Sequence, residues 1–257
     1  MAAPLLEACD LKLQAGSRVL VEQLSFCIRP GEVWCMLGRN GAGKSTFLHT
    51  AVGLRRSQGG SLRLSGKPLQ DWSTGAAARE RAFLPQSFHD PFSASVLETV
   101  LVGRHPHLSR WQWESDEDRD QASVALAAVD LAGFEARDVL TLSGGERQRV
   151  ALAALLVQDA PLLLLDEPVA HLDLHHQLMV LGHLAKLARE FGKGVLFTAH
   201  DLNMAARYAD HAVLLSAGPA PQQGRTDEVL TEAALFEAFG HRVSRIHAAG
   251  HTLFVAE

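Results

Sequence analysis

The sequence has no run long enough to cross a bilayer and no surplus of positive charge. Its longest apolar stretches, residues 150–157 and 162–165, fall well short of the roughly 20 residues a membrane helix needs. The N-terminus, from Met1 to Glu7, lacks the basic region and long apolar segment of a signal peptide. Any role at a membrane is therefore expected to come through a partner. The formal net charge is -5, which argues against a nucleic-acid protein, whose footprint is usually basic, though a local basic patch stays open. Only three cysteines are present, Cys9, Cys27 and Cys35, and none forms a C-x-x-C pair. Each sits in an apolar segment, so buried, reduced thiols in a cytosolic protein are the expectation. No internal repeat is visible, so whatever site the chain builds, it builds once.

What is present is a core-forming composition. The 257 residues are 47% hydrophobic and 21% charged, enough for one large domain or a core with a subdomain. The stretch that organises it is Gly38, Arg39, Asn40, Gly41, Ala42, Gly43, Lys44, Ser45 and Thr46, which reads G-x-x-x-x-G-K-S. The apolar run 33–37 before it is short enough for a buried strand, and residues 46–52 after it show helical spacing. This strand–loop–helix context is what a phosphate-binding P-loop requires. Glycines let the backbone turn tightly around an anion. The N–H groups of the loop and of the opening helix face the phosphates. Lys44 places a positive charge on the outer phosphates, and the Ser45 hydroxyl suits a Mg2+ ion. The alternative is a glycine-rich turn matching by chance, expected in about one chain of this length in a hundred at ordinary glycine abundance.

Around this loop the chain alternates strands and helices. Short strands are predicted within 5–37 and at 61–66, forming an N-terminal antiparallel β layer. Residues 81–85 read as a further core strand ending at Gln86. Residues 90–158 change character and read as a helical insert. The acidic run 114–120 belongs there as the solvated first turn of a helix with a capping box at Ser115, rather than as a metal site. Core strands return at 162–165, 195–199 and 213–215, with helices at 174–191 and 201–208 between them. The fold class is therefore α/β, a P-loop (RecA-like) core with an N-terminal antiparallel β layer and an inserted helical subdomain. The expected division is 1–89 and 159–220 for core and β layer, 90–158 for the helical subdomain, and 221–257 for a tail of short helices and a final hairpin.

Two further constellations carry chemistry. Asp166 and Glu167 leave the end of the apolar strand 162–165, the edge where open α/β sheets bind ligands. Asp166 suits Mg2+, commonly through its water, and Glu167 suits the general base for an attacking water. Taken alone, the pair reads equally well as solvated carboxylates capping a loop. The segment 142–149 has capping-box spacing between Ser143 and Glu146, so an ordinary helix start accounts for it. Its two glycines, Gly144 and Gly145, also make the helix N-terminus an anion site.

With the P-loop, a glutamine after a core strand, the Ser143-Gly144-Gly145 segment, the Asp-Glu pair and a later histidine in that order, the chain resembles the ABC (ATP-binding cassette) ATPases over nearly its whole length. The resemblance implies that Gly38 to Thr46 bind ATP and that Gln86 touches Mg2+ or the attacking water. It implies that Ser143, Gly144 and Gly145 bind the γ-phosphate of ATP held by a second subunit, with Asp173 across that interface. It makes Asp166 the Mg2+-associated carboxylate, Glu167 the catalytic base and His200 the residue that contacts the γ-phosphate. The cofactors implied are ATP and Mg2+, and the assembly is a homodimer that sandwiches two nucleotides.

The sequence departs from the common pattern at 13–17, where no aromatic stands ready to stack the adenine, leaving Arg18 or Val19 as substitutes. Val169, His171 and Ala154 also replace residues more usual in the family. The segments 102–108, 172–177 and 200–210 are similar to those of importers of large iron chelates and cobalamin. This implies an ATPase subunit of a type II importer, held by two permease subunits at the cytoplasmic face of the inner (plasma) membrane and served indirectly by a periplasmic or surface substrate-binding protein. Phe88, Phe92, Val96 and Arg104 are the residues expected to line the groove for a permease helix, with a place in the core of the insert as the alternative. A soluble ABC ATPase of repair or assembly, or an exporter subunit, remains the competing function.

Overall fold

In the computed structural model, which describes residues 3–87, 92–109, 111–216, 220–248 and 250–257, two stacked sheets share an apolar layer. The first is antiparallel. β1 (Leu6–Ala15) pairs with β2 (Arg18–Ile28) on one side and with β4 (Gly59–Leu64) on the other, and β5 (Lys67–Pro68) extends the edge. The second holds six strands in the order β10-β9-β3-β8-β7-β6. These are β3 (Val33–Gly38), β6 (Arg81–Leu84), β7 (Leu162–Leu165), β8 (Gly194–Thr198), β9 (His211–Leu215) and β10 (Gln222–Arg225). Its strands are parallel except for β10, which runs antiparallel to β9.

The period of two decides which side chains go where. Trp34, Met36, Leu162, Leu164, Leu196 and Val213 face the β layer and join its Leu6, Phe26 and Ile28, with Phe47 of α1 (Lys44–Ala51), in one core. Cys35, Leu37, Leu163, Leu165, Val195, Phe197 and Leu214 face the opposite core. That core is filled from α3 (Val96–Leu101), α4 (Asp116–Ala128), α5 (Gly144–Val157) and α6 (Leu174–Phe191). Both faces being covered, β3, β7 and β8 are buried along their whole length, which explains their nearly unbroken apolar sequences. Burial also pushes the Cys35 thiol pKa up, so that cysteine acts as an apolar core residue.

The chain is completed by α2 (Thr74–Glu80), α7 (Leu202–Tyr208), α8 (Thr226–Val229), α9 (Glu232–Phe239) and the hairpin β11 (Val243–Ala248) with β12 (His251–Ala256). The tail expected over 221–257 does not lie wholly outside the core. Residues 222–225 are instead β10, the edge strand of the main sheet. A strand of sequence Gln-Gln-Gly-Arg has no apolar alternation to betray it, because only its backbone is engaged.

Helices α3, α4 and α5 pack on one another through close backbone approach. A Cβ at Gly103, just after α3, would collide with the Ala154 carbonyl of α5, so glycine at 103 is a packing requirement. Two of the four residues expected in the permease groove are internal. Val96 is fully buried in the core of α3. Arg104 donates from Nε to Asp118 Oδ1 at 2.7 Å and from Nη1 to the Val157 carbonyl, with little of either charged side chain exposed. Phe92 is exposed, at 79%, and Phe88 lies outside the described residues.

Asp118 caps its own helix. The backbone N–H and hydroxyl of Ser115, and then Arg104, hold its carboxyl down to about 2. Its folded-state pKa is depressed, so its contribution to stability is complete at neutral pH and is lost as pH falls from the ordinary carboxylate range toward 2. Arg104→Ala is expected to cost about 2 kcal/mol of stability, because it strips the partner from a buried carboxylate. Urea denaturation checks this, and the loss should shrink at pH 3.

Candidate active site

The carboxyl ends of four adjacent strands put the chemistry in one place. β3 ends at Gly38 and enters the P-loop; β6 is followed by Gln86, β7 by Asp166 and Glu167, and β8 by His200. In an open parallel sheet this edge is where ligands sit, because helices leave from it and their N-termini converge. A cavity of about 560 Å3 occupies it, lined by Arg39, Asn40, Gly41, Gly43, Lys44, Ser45, Thr46, Gln86, Glu167 and His200 on one side. Its far end is walled by Ala15, Arg18 and Leu20 from the β1–β2 turn. Of the two proposed substitutes for an aromatic, Arg18 therefore reaches the cavity and Val19 is not on its wall. Leu20 joins Arg18 there, a residue that residue-type reasoning passed over.

The loop's shape needs its glycines. Gly43 caps α1 with φ of 115°, and a Cβ there would press on Leu20 and Val21 at 3.3 Å. Such a backbone is open only to glycine without strain. Lys44 begins α1 and is buried; its Nζ donates to the Gly38 carbonyl at 2.8 Å. Burial lowers the Lys44 pKa, while the carboxylates of Glu167 and Asp166 oppose the shift. The ammonium is thus held under the loop and faces two negative charges.

Glu167 is the hub. Its Oε1 accepts from His200 Nε2 at 2.6 Å and its Oε2 from Gln86 Nε2 at 3.0 Å. An ionised carboxylate only accepts, so His200 must carry its proton on Nε2 in this contact. Glu167 also sits at φ of +50°, as does His171 at +66°, in a region that side chains other than glycine rarely adopt. Both residues of the Asp-Glu pair are tied to β8. The Glu167 N–H donates to Thr198 Oγ1 at 2.8 Å, and the Thr198 hydroxyl donates to Asp166 Oδ1 at 2.7 Å.

Sequence reasoning missed Thr198, which looks like any β-branched strand residue. Its hydroxyl sets the backbone of one carboxylate and the side chain of the other. Thr198→Val removes this bridge at constant shape. A 10- to 100-fold fall in kcat is expected, of the size seen when an outer-shell partner is lost, with KM for ATP little changed. A merely structural role would instead show as lost stability with kcat preserved.

Among the described residues no group of three or more His, Cys, Asp or Glu side chains could hold a metal ion. A cation here has to bring ligands with it, as Mg2+ does when it arrives on phosphate oxygens and keeps its waters. The donors fit that case: the Ser45 hydroxyl and the Gln86 amide line the cavity, and Asp166 is 2% exposed with only one oxygen taken by Thr198.

Ser143, Gly144 and Gly145 do not line this cavity. They form the N-terminus of α5, where Ser143 and Glu146 make a reciprocal capping box, with Ser143 N–H to Glu146 Oε2 at 2.7 Å. Ser143 and Gly144 are exposed. Asp173 caps α6 by accepting from the His176 N–H at 2.9 Å and is likewise exposed. The two surfaces are nevertheless linked. Gln148 of α5 donates from Nε2 to the Pro168 carbonyl, next to Glu167. One chain thus presents a cavity with phosphate-binding loop, carboxylates and histidine, and apart from it a solvent-facing helix N-terminus with the composition of an anion site.

The chain is similar to known proteins over nearly its whole length. The ABC transporter family model matches residues 21–170. The hemin import ATP-binding protein HmuV of Deinococcus radiodurans is 43% identical over 247 residues, covering 94% of this chain and 92% of its own length. The iron(3+)-hydroxamate import ATP-binding protein FhuC of Bacillus subtilis is 41% identical over 230 residues, covering 90% of this chain and 86% of its own. Among solved structures, an inward-facing putative metal-chelate type ABC transporter superposes with a TM-score of 0.86 at 29% identity, over 99% of this chain and 98% of that one.

Proposed function

Because the chain belongs to the ABC transporter family of ATP-binding proteins, we propose that it is the ATP-hydrolysing subunit of an importer, of the type that carries haem, ferric siderophores or cobalamin. The observation that supports this best is the split of the phosphate-binding parts. Lys44, Gln86, Glu167 and His200 meet in one cavity, while Ser143 and Gly144 open to solvent elsewhere, with Gly145 half-buried beside them. Two chains arranged head to tail close two such cavities, each with the Ser143 segment of the other chain. A lone chain leaves both halves incomplete.

The phosphates of ATP lie in the loop Gly38 to Thr46, with Lys44 against the outer ones. Ser45, Gln86 and Asp166 are the residues that would hold Mg2+, which would supply charge neutralisation at the phosphates. Glu167 accepts a proton from the attacking water as its oxygen bonds to the γ-phosphorus, and the bond to the β-phosphate oxygen breaks to leave ADP and phosphate. His200 and Gln86 each hold one of the two Glu167 carboxylate oxygens, so one of them has to be drawn off before a water can reach the base. Positioning and charge supply most of the rate, as in phosphoryl transfer generally.

No described helix is long and apolar enough to span a membrane. The likeness to importer ATP-binding proteins supports the chain's being held at the cytoplasmic face of the plasma (inner) membrane by two permease subunits, with a substrate-binding protein outside. The chain should sediment with membranes only when its permease is co-expressed. The test of the importer reading is uptake by vesicles holding the reconstituted transporter, offered haem, a ferric hydroxamate and cobalamin in turn. ATP-dependent accumulation of one of them is expected. ATPase activity with no uptake of any would point to a soluble ABC ATPase, and release of cargo to an exporter.

A further inference from the structure

A second cavity, of about 350 Å3, lies between α7, α8 and the β11–β12 hairpin, and shares no lining residue with the nucleotide cavity. Its wall includes four arginines, Arg189, Arg207, Arg225 and Arg245, and two carboxylates, Asp210 and Asp227, an excess of two positive charges. The carboxylates are already engaged at the rim. Asp210 pairs with Arg189 at 3.4 Å and accepts from the Val33 N–H, and Asp227 pairs with Arg225 at 3.3 Å. The other two guanidinium groups are not neutralised. Among the described residues Arg207 has only the face of Tyr208, at 5.5 Å. Arg245 donates from Nη1 to the Asp227 carbonyl at 3.0 Å, while its Nε is buried with no partner among the described residues.

Arg207 and Arg245 both line the cavity, and neither guanidinium has a carboxylate partner among the described residues. Guanidinium forks match the oxygens of phosphate. A void of this size is at the lower end of small-ligand sites. The surplus charge equals that of a doubly ionised phosphate ester. We propose that this cavity is a second ligand site that takes a small phosphate monoester, held by Arg245 and Arg207. Its occupancy fastens the hairpin 243–256 to α7, to which Phe254 is already joined by a two-way hydrogen bond with Asn203, at 2.7 and 3.2 Å.

Isothermal titration of the full chain with glycerol 3-phosphate tests this, with inorganic phosphate and succinate as comparison probes. The chain carries Lys44→Ala so that the P-loop does not answer to phosphate. Saturable binding near one equivalent is expected, weakened about tenfold or more by Arg245→Gln. Arg207→Gln, at an exposed position, should weaken it as well without touching the hairpin's bonds. In the presence of glycerol 3-phosphate, amide exchange over 243–256 should slow. With Lys44 intact, both substitutions should leave basal ATP turnover unchanged. The proposal is overturned if glycerol 3-phosphate shows no saturable binding, if neither arginine substitution weakens it, or if succinate binds as tightly.

Discussion

Glu167→Gln is expected to lower ATP turnover by at least about a hundredfold, the usual contribution of a general base, while ATP binding survives. The amide keeps the size of the side chain but has one acceptor oxygen in place of the two that Gln86 and His200 reach at 3.0 and 2.6 Å in the parent, so it keeps both partners only if Gln86 turns its own amide over. It cannot accept the proton of the attacking water. Chemistry stops after assembly, so ATP should accumulate in the closed form. The variant is expected to run as a dimer in gel filtration with ATP and as a monomer without it. Turnover within a few-fold of the parent would remove Glu167 from the role of base. Loss of nucleotide binding would indicate a folding defect instead, which the strained backbone at this residue makes worth checking by thermal denaturation.

Ser143→Arg should be as severe by a different route. Ser143 is exposed at the start of α5 and lies outside the nucleotide cavity of its own chain. A large cation there leaves the P-loop of the same chain untouched, so the monomer should bind ATP with unchanged affinity. It also removes the cap that Glu146 N–H uses, at 3.3 Å, which costs about 1 kcal/mol of stability. Hydrolysis should fall to background, because the surface that meets the other chain's nucleotide is blocked. Fluorescence titration with a labelled nucleotide separates the two effects. Weakened binding by the monomer would place Ser143 in the site of its own chain.

Much of this was legible from the sequence because the relevant signals are local. The P-loop, the Asp166-Glu167 pair and the capping box at Ser143 are short contiguous patterns, and each falls where its neighbouring strand or helix begins or ends. The alternation of apolar runs also named the core strands. What escaped was non-local or one-sided. Thr198 acts through contacts 31 and 32 residues away, and nothing near it in sequence marks that role. For Val96 and Arg104 the sequence left a permease groove and the core of the insert both open, because residue type does not say which face meets solvent; packing and Asp118 hold both inside. β10 pairs through its backbone alone. The arginine-lined cavity draws on residues from Arg189 to Phe254, whose convergence only the fold creates.

The central claim is that each chain carries half of two composite ATP sites. Mixing two inactive variants tests it most directly. In a head-to-tail dimer of one Lys44→Ala chain with one Ser143→Arg chain, both lesions fall in the same site and the other site is intact. Either variant alone should be inactive, whereas an equimolar mixture should recover about a quarter of the parent's single-turnover hydrolysis, since half the dimers are mixed and each holds one complete site. A mixture as inactive as its parts would contradict the account.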